Sequence, residues 1–288
     1  MSFSSDVKEE LANHVSAARH CQIAELAAIL NYCGQFGRIE EGRFSVGFQT
    51  ENEAVVKKGF TLLQKTYNIV SGADVGNEQM MQLMTKIGDL EEPVSQTLIK
   101  NACCQRAFLR GAFLAIGSIS DPNKGYHLEF VCQREDKALL LQKLLHNFEI
   151  EAKIVMRKKY HVVYVKEGAG IVDFLNVCEA HQALMDLENL RILKEINNSV
   201  NRRVNCETAN IAKTVTAATR QIDDIEYIRD HYGFQNLPES LRQMAEVRME
   251  NPDASLKDLG EMLDPPVGRS GVNHRLRKLG ELAERLRI

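Results

Sequence analysis

Apolar and polar positions follow the same order in two stretches of the chain that lie 83 residues apart. Residues 26–34 and 109–117 are mainly apolar and end in glycine, which predicts two buried helices. An alternating segment follows each one, at residues 44–48 and 126–130, as is typical of a half-buried strand. An amphipathic helix comes next in both halves. The shared order predicts a helix-strand-strand-helix-strand-strand-helix (αββαββα) unit that occurs twice.

The remaining part of each half predicts two further extended segments and a closing helix. The extended segments are expected at 69–75 and 80–84 in the first half, and at 150–156 and 160–165 in the second. The closing helices are expected near 92–101 and 170–177. Arg157, Lys158 and Lys159 form the predicted turn of a hairpin in the second half.

Small residues occur at matching places in the two repeated helices. Ala28 lies in the first helix, and Gly111 and Ala115 lie in the second. Small side chains at helical spacing allow two helix backbones to approach closely. We therefore expect helices 22–34 and 104–117 to pack face to face about a pseudo-twofold axis.

A third region begins with a predicted helix over 179–196, where Ala183, Leu184, Leu187 and Leu190 make an apolar stripe. The polar residues 197–199 predict a break and a domain boundary. Residues 211–218 predict a further helix, with the basic Lys213 inside it and Arg220 just after it. This helix could contact DNA phosphates or be a solvated connection, and the sequence leaves both alternatives open.

The C-terminal segment predicts three short helices. Pro238 begins the first, and Ser255 and Asp258 form a capping-box-like start for the second. Residues 264–268 contain paired prolines and a glycine, which exclude a helix there. The third helix is expected from residue 270 or 271. Its apolar residues at positions 272, 276, 279 and 283 make one buried face.

Helix, short turn and basic helix is the pattern of a helix-turn-helix DNA reader. In this interpretation Asn273 and Arg277 read base edges, and Arg269, Ser270 and Lys278 hold phosphates. The predicted DNA-binding residues are Arg269, Ser270, Asn273, His274, Arg277 and Lys278. The alternative is a solvated basic face at the end of the chain, where the helix dipole favours cations. An acid-free, basic start to the helix argues against that alternative.

Charge is distributed unevenly, although the whole chain has a formal net charge of -3. Residues 201–288 contain 14 basic and 14 acidic residues, so the net charge of -3 belongs to the first 200 residues. Residues 267–278 contain four basic residues and no acidic residue. A local basic element of this kind is typical of a compact DNA reader.

Composition excludes several classes of protein. The 44% of apolar residues suffices for two cores, and charges interrupt every apolar stretch well below membrane length. Charged residues near the N-terminus stand where a signal peptide needs an apolar run. Seven cysteines without a CxxC pair indicate free thiols in a reducing cytosol.

Other site chemistry has little support in the sequence. The pairs His20-Cys21 and Cys103-Cys104 lack the sequence spacing of a structural zinc site, which favours buried thiols. Residues 168–170 are too short for a phosphate-binding loop. We therefore expect no catalytic residue, no cofactor and no bound metal.

Residues 109–117 resemble the LAGLIDADG helix of homing endonucleases, and residues 26–34 resemble a degenerate copy of it. The resemblance implies that an acidic residue should stand at the penultimate position of each motif, where the pair binds divalent metals. Cys33 and Ile116 occupy those positions here, and neither supplies a carboxylate. Asp121 lies beyond the second helix, in a predicted turn before Pro122. We therefore expect no nuclease activity.

Longer strings resemble the WhiA sporulation-regulator family across essentially the whole chain. The matching strings are residues 106–114, 117–122, 201–218, 251–260 and 265–276. The resemblance implies an α+β protein, with a pseudo-symmetric LAGLIDADG-like αββαββα repeat domain followed by an all-α helix-turn-helix domain. The expected divisions are an N-terminal helix (1–21), the repeat domain (22–198, with halves 22–102 and 103–198), a linker helix region (199–236) and the helix-turn-helix domain (237–288).

The same resemblance implies a cytoplasmic, nucleoid-associated protein that binds double-stranded DNA and regulates transcription of sporulation-type genes. It further implies a part in cell division and chromosome segregation. A live endonuclease is opposed by Cys33 and Ile116. A protein-interaction scaffold with only secondary DNA contact remains an alternative for the repeat domain, because a DNA-clamping saddle should be basic and residues 1–200 are not. Lys153, Arg157, Lys158 and Lys159 leave weak DNA contact open at the second hairpin.

Overall fold

The computed structural model describes residues 2–287 as two compact units that divide between Lys194 and Glu195. Both α-helices and antiparallel β-strands build the first unit, whereas the second is helical in its described part. No helix among residues 2–287 is long and apolar enough to span a membrane.

The first half of the first unit contains a three-stranded antiparallel sheet in the order β1-β2-β3. Its elements are α1 (Phe3–Asn13), α2 (Arg19–Cys33), β1 (Gly34–Glu40), β2 (Arg43–Phe48), α3 (Glu53–Tyr67), β3 (Val75–Gly76) and α4 (Asn77–Ile87). Helix α2 is buried along most of its length, as its apolar composition predicts.

The second half contains a four-stranded antiparallel sheet in the order β4-β5-β7-β6. Its elements are α5 (Ala102–Ile116), β4 (Gly117–Ile119), β5 (Leu128–Cys132), α6 (Glu135–His146), β6 (Lys153–Arg157), β7 (Tyr160–Val165) and α7 (Gly168–Cys178). This half shows the αββαββα order that the sequence predicts, including the hairpin at Lys158.

The first half departs from that order after α3. Residues 80–84, predicted as extended, lie inside α4, and the expected segment 69–75 contributes only Val75 to a strand. Residues 92–101 form turns and not a closing helix. The physical reason lies in the spacing, because Met80, Leu83 and Ile87 are buried at a helical period. Pro93 disfavours helical backbone at the residue before it.

Helices α2 and α5 pack against each other at the centre of this unit. A Cβ atom on Gly111 would collide with the carbonyl oxygen of Glu25 and come within 2.9 Å of the Ala28 Cβ. The two backbones therefore approach as closely as the small residues predict. Ala115, the other small residue of the second motif helix, is half-buried.

A charged network lies inside the same core. The Glu25 carboxylate, which is fully buried, is 3.1 Å from the Arg110 guanidinium and 3.0 Å from the Lys58 ammonium. Arg110 also pairs with Glu179 at 2.7 Å, and His14 lies 2.9 Å from the same carboxylate. Desolvation lowers the pKa of Lys58, and the Glu25 charge opposes this effect. The network joins five segments of the chain, and the apolar pattern of the sequence does not show it.

Helix α8 (His181–His231) contributes residues to both units. Its buried residues include Ala183 and Leu187 near the start, and Ile225 and Ile228 near the end. The break predicted at residues 197–199 is wrong, because the helix continues through them. Each Asn or Ser makes a helix less stable than alanine would by only about 0.5 kcal/mol. The turns on either side can offset this loss.

The second unit continues with a single 3-10 turn (Phe234–Asn236), then α9 (Glu239–Glu250), α10 (Leu256–Glu261) and α11 (Arg269–Arg287). Met244, Ala245, Leu259 and Leu263 belong to its core, together with residues of α8 and α11. The last helix begins at Arg269, one residue earlier than predicted.

Candidate nucleic-acid interface

One face of α11 is fixed against the core of the second unit. Val272, Leu276, Leu279 and Ala283 are all buried there, at the positions that the sequence predicts. Because these four side chains face inward, the remaining positions of the first turns must face away from the core.

The six side chains that the sequence assigns to DNA are all exposed on α11. They are Arg269, Ser270, Asn273, His274, Arg277 and Lys278. The first turn of α11 contains no acidic residue. Its Gly271 and Val272 N–H groups donate to the Gly268 carbonyl, which leaves those of Arg269 and Ser270 without a helical acceptor. Such a helix start attracts anions through its free donors and its dipole. The structure thus brings the six side chains onto one surface with the chemistry that phosphates and base edges need.

The start of α10 is built as its sequence predicts. The Ser255 hydroxyl accepts a hydrogen bond from the Asp258 N–H at 3.3 Å, and the Asp258 carboxylate accepts one from the Ser255 N–H. This reciprocal pair satisfies two N–H groups at the beginning of a very short helix.

The turn between α10 and α11 depends on a close backbone approach. The Val267 N–H donates to the Gly260 carbonyl at 3.0 Å. A Cβ atom on Gly260 would collide with the Val267 carbonyl oxygen, so only glycine fits there without movement. This contact holds the segment that leads directly into Arg269 and Ser270.

Arg248 on α9 supports the loop before α10, a role that the helical pattern does not reveal. Its guanidinium is almost completely buried and donates to the Ala254 carbonyl at 2.7 Å. Desolvation by burial lowers the pKa of Arg248. The sequence does contain one indication of this role, because Arg248 is a basic residue on the apolar side of a predicted helix.

Two ion pairs hold the far end of α11 to α8. Arg287 lies 2.7 Å from Asp224, which is itself buried, and Arg220 lies 2.7 Å from Glu284. Arg220 therefore contacts protein within its own unit, whereas Lys213 is exposed on the helix surface.

Arg277 is 3.4 Å from Glu281, one turn later on the same helix. Both side chains are more than half exposed, and exposed pairs of this kind contribute about 0.2–1 kcal/mol. An approaching phosphate or base edge can replace such a partner at small cost.

The two degenerate nuclease positions lie at the ends of α2 and α5. Cys33 and Ile116 line one cavity of about 540 Å³, together with Lys137. The Lys137 ammonium donates to the carbonyls of Asn31 and Leu90 at 2.7 and 2.6 Å. Burial raises the pKa of the Cys33 thiol to about 11, so this group is a neutral thiol at physiological pH. Neither Cys33 nor Ile116 offers the oxygen ligands that Mg²⁺ requires.

Asp121 lies in a turn, as expected, and accepts a hydrogen bond from the Asn123 N–H at 2.9 Å. Hydrogen bonds from the Asn123 backbone and side chain lower the pKa of this exposed carboxyl group. The hairpin of β6 and β7 carries Lys153, Lys158 and Lys159 as exposed residues, whereas Arg157 pairs with Glu129 at 3.0 Å. The positive charge of this hairpin is thus partly neutralised.

The pairs His20-Cys21 and Cys103-Cys104 are distant in sequence, but the fold brings them together. Their four ligand atoms all lie within 4.8 Å of one another. Sequence spacing is therefore a wrong guide to the geometry of these four residues, since they come from two helices.

Three family models match consecutive parts of the chain. Residues 19–82 match the WhiA N-terminal LAGLIDADG-like domain, and residues 105–197 match the WhiA LAGLIDADG-like domain. Residues 200–283 match the WhiA C-terminal HTH domain.

Whole-length relatives agree with these matches. The chain is 50% identical to a "Probable cell division protein WhiA" from Lachnoclostridium phytofermentans, over 100% of both chains. It is 47% identical to a protein of the same name from Lachnospira eligens, over 100% of this chain and 98% of the relative. The crystal structure of full-length DUF199/WhiA from Thermatoga maritima matches with a TM-score of 0.56 and 26% identity, covering 99% of each chain. These matches and the observed elements agree on a LAGLIDADG-type α+β region followed by a helix-turn-helix region.

Proposed function

Because the chain belongs to the WhiA family, we propose that it is a DNA-binding regulator that contacts double-stranded DNA through α11. The observation that carries this proposal is the surface of α11. Six exposed polar or basic side chains lie opposite a buried apolar face, in a segment (267–278) without acidic residues.

The side chains of α11 have different roles in this proposal. Arg269 and Ser270 hold a phosphate at the helix start, where free N–H groups and the dipole add to the attraction. Asn273 and Arg277, further along the exposed face, reach base edges in the major groove, and His274 and Lys278 flank them. Residues 237–288 are accordingly the proposed DNA-binding domain, residues 199–236 the linker and residues 22–198 the repeat domain.

The protein is proposed to be non-enzymatic. The family has a degenerate LAGLIDADG domain, and in this chain the cavity between the motif helices presents Cys33 and Ile116 where nuclease carboxylates would be needed. A thiol kept neutral by burial and an aliphatic side chain cannot hold a hard divalent cation for phosphodiester cleavage.

The names of the relatives, which refer to cell division, support a proposal for the biological setting. We propose that this protein acts in the cytoplasm on the nucleoid, in cell division, chromosome segregation and the transcription of sporulation-type genes. A second candidate concerns the repeat domain alone, which would serve as a protein-interaction scaffold. The net charge of -3 over residues 1–200 favours it, since a DNA-clamping surface would be basic.

A binding titration of the full chain tests the proposal. The triple variant Asn273→Ala, Arg277→Ala, Lys278→Ala removes three exposed side chains and leaves the buried face of α11 intact. It should lose most of its affinity for duplex DNA while keeping its helical circular dichroism. Lys257→Ala, an exposed cation on α10, controls for the loss of charge alone. If the folded triple variant binds DNA like the parent, α11 is not the reader.

A further inference from the structure

Four metal-ligating side chains meet where the two motif helices begin. His20 and Cys21 lie in the first turn of α2, and Cys103 and Cys104 lie in the first turn of α5. The two pairs occupy equivalent positions of the repeat, 83 residues apart. The packing of α2 on α5 therefore places a His-Cys pair opposite a Cys-Cys pair.

The distances within this cluster suit a single ion. The His20 Nδ1 atom is 3.2 Å from the Cys104 Sγ and 3.3 Å from the Cys21 Sγ, and all four ligand atoms lie within 4.8 Å of one another. Around a tetrahedral zinc ion, bonds of about 2.3 Å to sulfur and about 2.0 Å to nitrogen hold the ligands about 3.4–3.8 Å apart. Small shifts of the side chains would complete that arrangement.

The surroundings favour a metal over simple thiol packing. Cys21 and Cys104 are buried among the small residues Ala24 and Ala107, whereas His20 and Cys103 are exposed. The cluster thus has two ligands anchored in the core and two on the side from which an ion can enter. Among residues 2–287, this is the one group of three or more His, Cys, Asp or Glu ligand atoms placed to share an ion.

We propose that His20, Cys21, Cys103 and Cys104 bind one zinc ion, which cross-links the beginnings of α2 and α5. Three thiolates and one imidazole select a borderline-soft ion and disfavour Mg²⁺ and Ca²⁺. Binding releases the three thiol protons, so the site with its ion carries one net negative charge. That charge lies at the positive ends of two helix dipoles, which stabilise it. The site lies at the opposite ends of these helices from Cys33 and Ile116, and it does not depend on DNA binding.

Metal analysis of the full chain, purified under reducing conditions, tests the proposal. We expect about one zinc per chain, and we expect Co²⁺ added to the metal-free protein to show the visible absorption of a tetrahedral site together with thiolate-to-metal charge transfer. Cys103→Ser is the decisive variant, because an exposed side chain can be changed without opening the core. It should bind zinc much more weakly and lose part of the charge-transfer band. Cys206→Ser removes an exposed thiol outside the cluster and should bind like the parent.

Chelation of the parent should lower its melting temperature, because zinc binds the assembled site of the native state more tightly than the unfolded chain. The same treatment should leave the Cys103→Ser melting temperature unchanged. The proposal is overturned if the reduced parent binds neither zinc nor Co²⁺. It is equally overturned if folded Cys103→Ser keeps full zinc affinity, or if the parent, kept free of oxygen, carries a disulfide within the cluster.

Discussion

The Glu25 carboxylate of α2 lies 3.1 Å from the Arg110 guanidinium of α5, and both side chains are almost completely buried. The ion pair crosses the same contact at which Gly111 allows the two helix backbones to meet. Lys58 reaches the other carboxylate oxygen from α3. The negative charge of Glu25 thus partly neutralises two buried cations. Glu179 supplies a second negative charge to Arg110.

Removal of the Glu25 charge should be severely destabilising. Glu25→Gln leaves Lys58 and Arg110 buried without their shared counter-ion, and breaking a buried pair costs about 3–5 kcal/mol. The free energy of unfolding in urea measures this loss. Glu40→Gln, which breaks an exposed pair with Arg43, is the matched control and should change stability by less than about 0.5 kcal/mol. Equal, small effects of both variants would show that the buried network contributes nothing.

Packing at Gly111 should tolerate no larger side chain. Gly111→Leu overpacks the contact between α2 and α5, because even a Cβ atom there collides with the Glu25 carbonyl. We expect a loss of at least about 1–3 kcal/mol in thermal unfolding experiments. Gly125→Leu introduces the same side chain where a Cβ atom meets nothing within 4 Å, and it should unfold close to the parent temperature. Unchanged stability of Gly111→Leu contradicts the close approach.

Protonation of His14 should destabilise the first unit at mildly acidic pH. Desolvation, followed by the charge of Arg110, lowers the pKa of His14 below its ordinary value of 6.5, although Glu179 opposes both effects. The unfolded state therefore binds the proton more readily than the folded state. Neutral His14 therefore contributes fully to the stability of the folded state above about pH 6.5. This contribution is lost as the pH falls through the folded-state pKa. Urea unfolding between pH 5 and 8 gives the free energy of unfolding of the parent and of His14→Gln. This free energy should depend less steeply on pH in the variant. Identical pH profiles would exclude His14 as the source.

Affinity for DNA should depend on Arg277 in one of two measurable ways. Arg277→Ala leaves no cavity, since the side chain is exposed on α11. If Arg277 reads a guanine edge, the variant should lose about 1–3 kcal/mol of binding free energy. It should also lose its preference for guanine at one base position. If it neutralises a phosphate, binding should weaken on all sequences, with a salt slope shallower by about one. Titrations of specific and random duplexes at several salt concentrations distinguish these results, with Lys257→Ala as control. An unchanged affinity and salt slope would remove Arg277 from the interface.

Supercoiled plasmid should stay intact in the presence of the protein with Mg²⁺ or Mn²⁺. The reason is the lack of a carboxylate at positions 33 and 116. Aspartate at both positions should not create activity, because a cluster of basic residues to clamp the DNA is still missing. Gel electrophoresis after long incubation measures nicking. Metal-dependent nicking that co-purifies with the protein and is lost in Asp121→Asn would contradict the prediction.

Local patterns in the sequence predicted much of the proposed interface. The spacing of Val272, Leu276 and Leu279 places them on one face of a helix, so the direction of Arg277 follows from the 3.6-residue period alone. The capping box of Ser255 and Asp258 was predictable for the same reason, since both residues and their effect lie within one turn. Short irregular segments give weaker signals, and the predictions of an extended segment at 80–84 and of a helix at 92–101 are wrong.

The sequence by itself determined the repeat, the two types of region and the orientation of α11, because each depends on residues that are close together along the chain. The tertiary structure alone decided which distant residues meet. Glu25 finds Arg110 across 85 residues, and His20 finds Cys104 across 84. It also decided that α8 continues through residues 197–199, because packing at both ends of a helix outweighs weak local preferences in its middle. The period of the sequence gives the face of the helix or strand on which a residue lies. The residue that it contacts there depends on how one element packs on another.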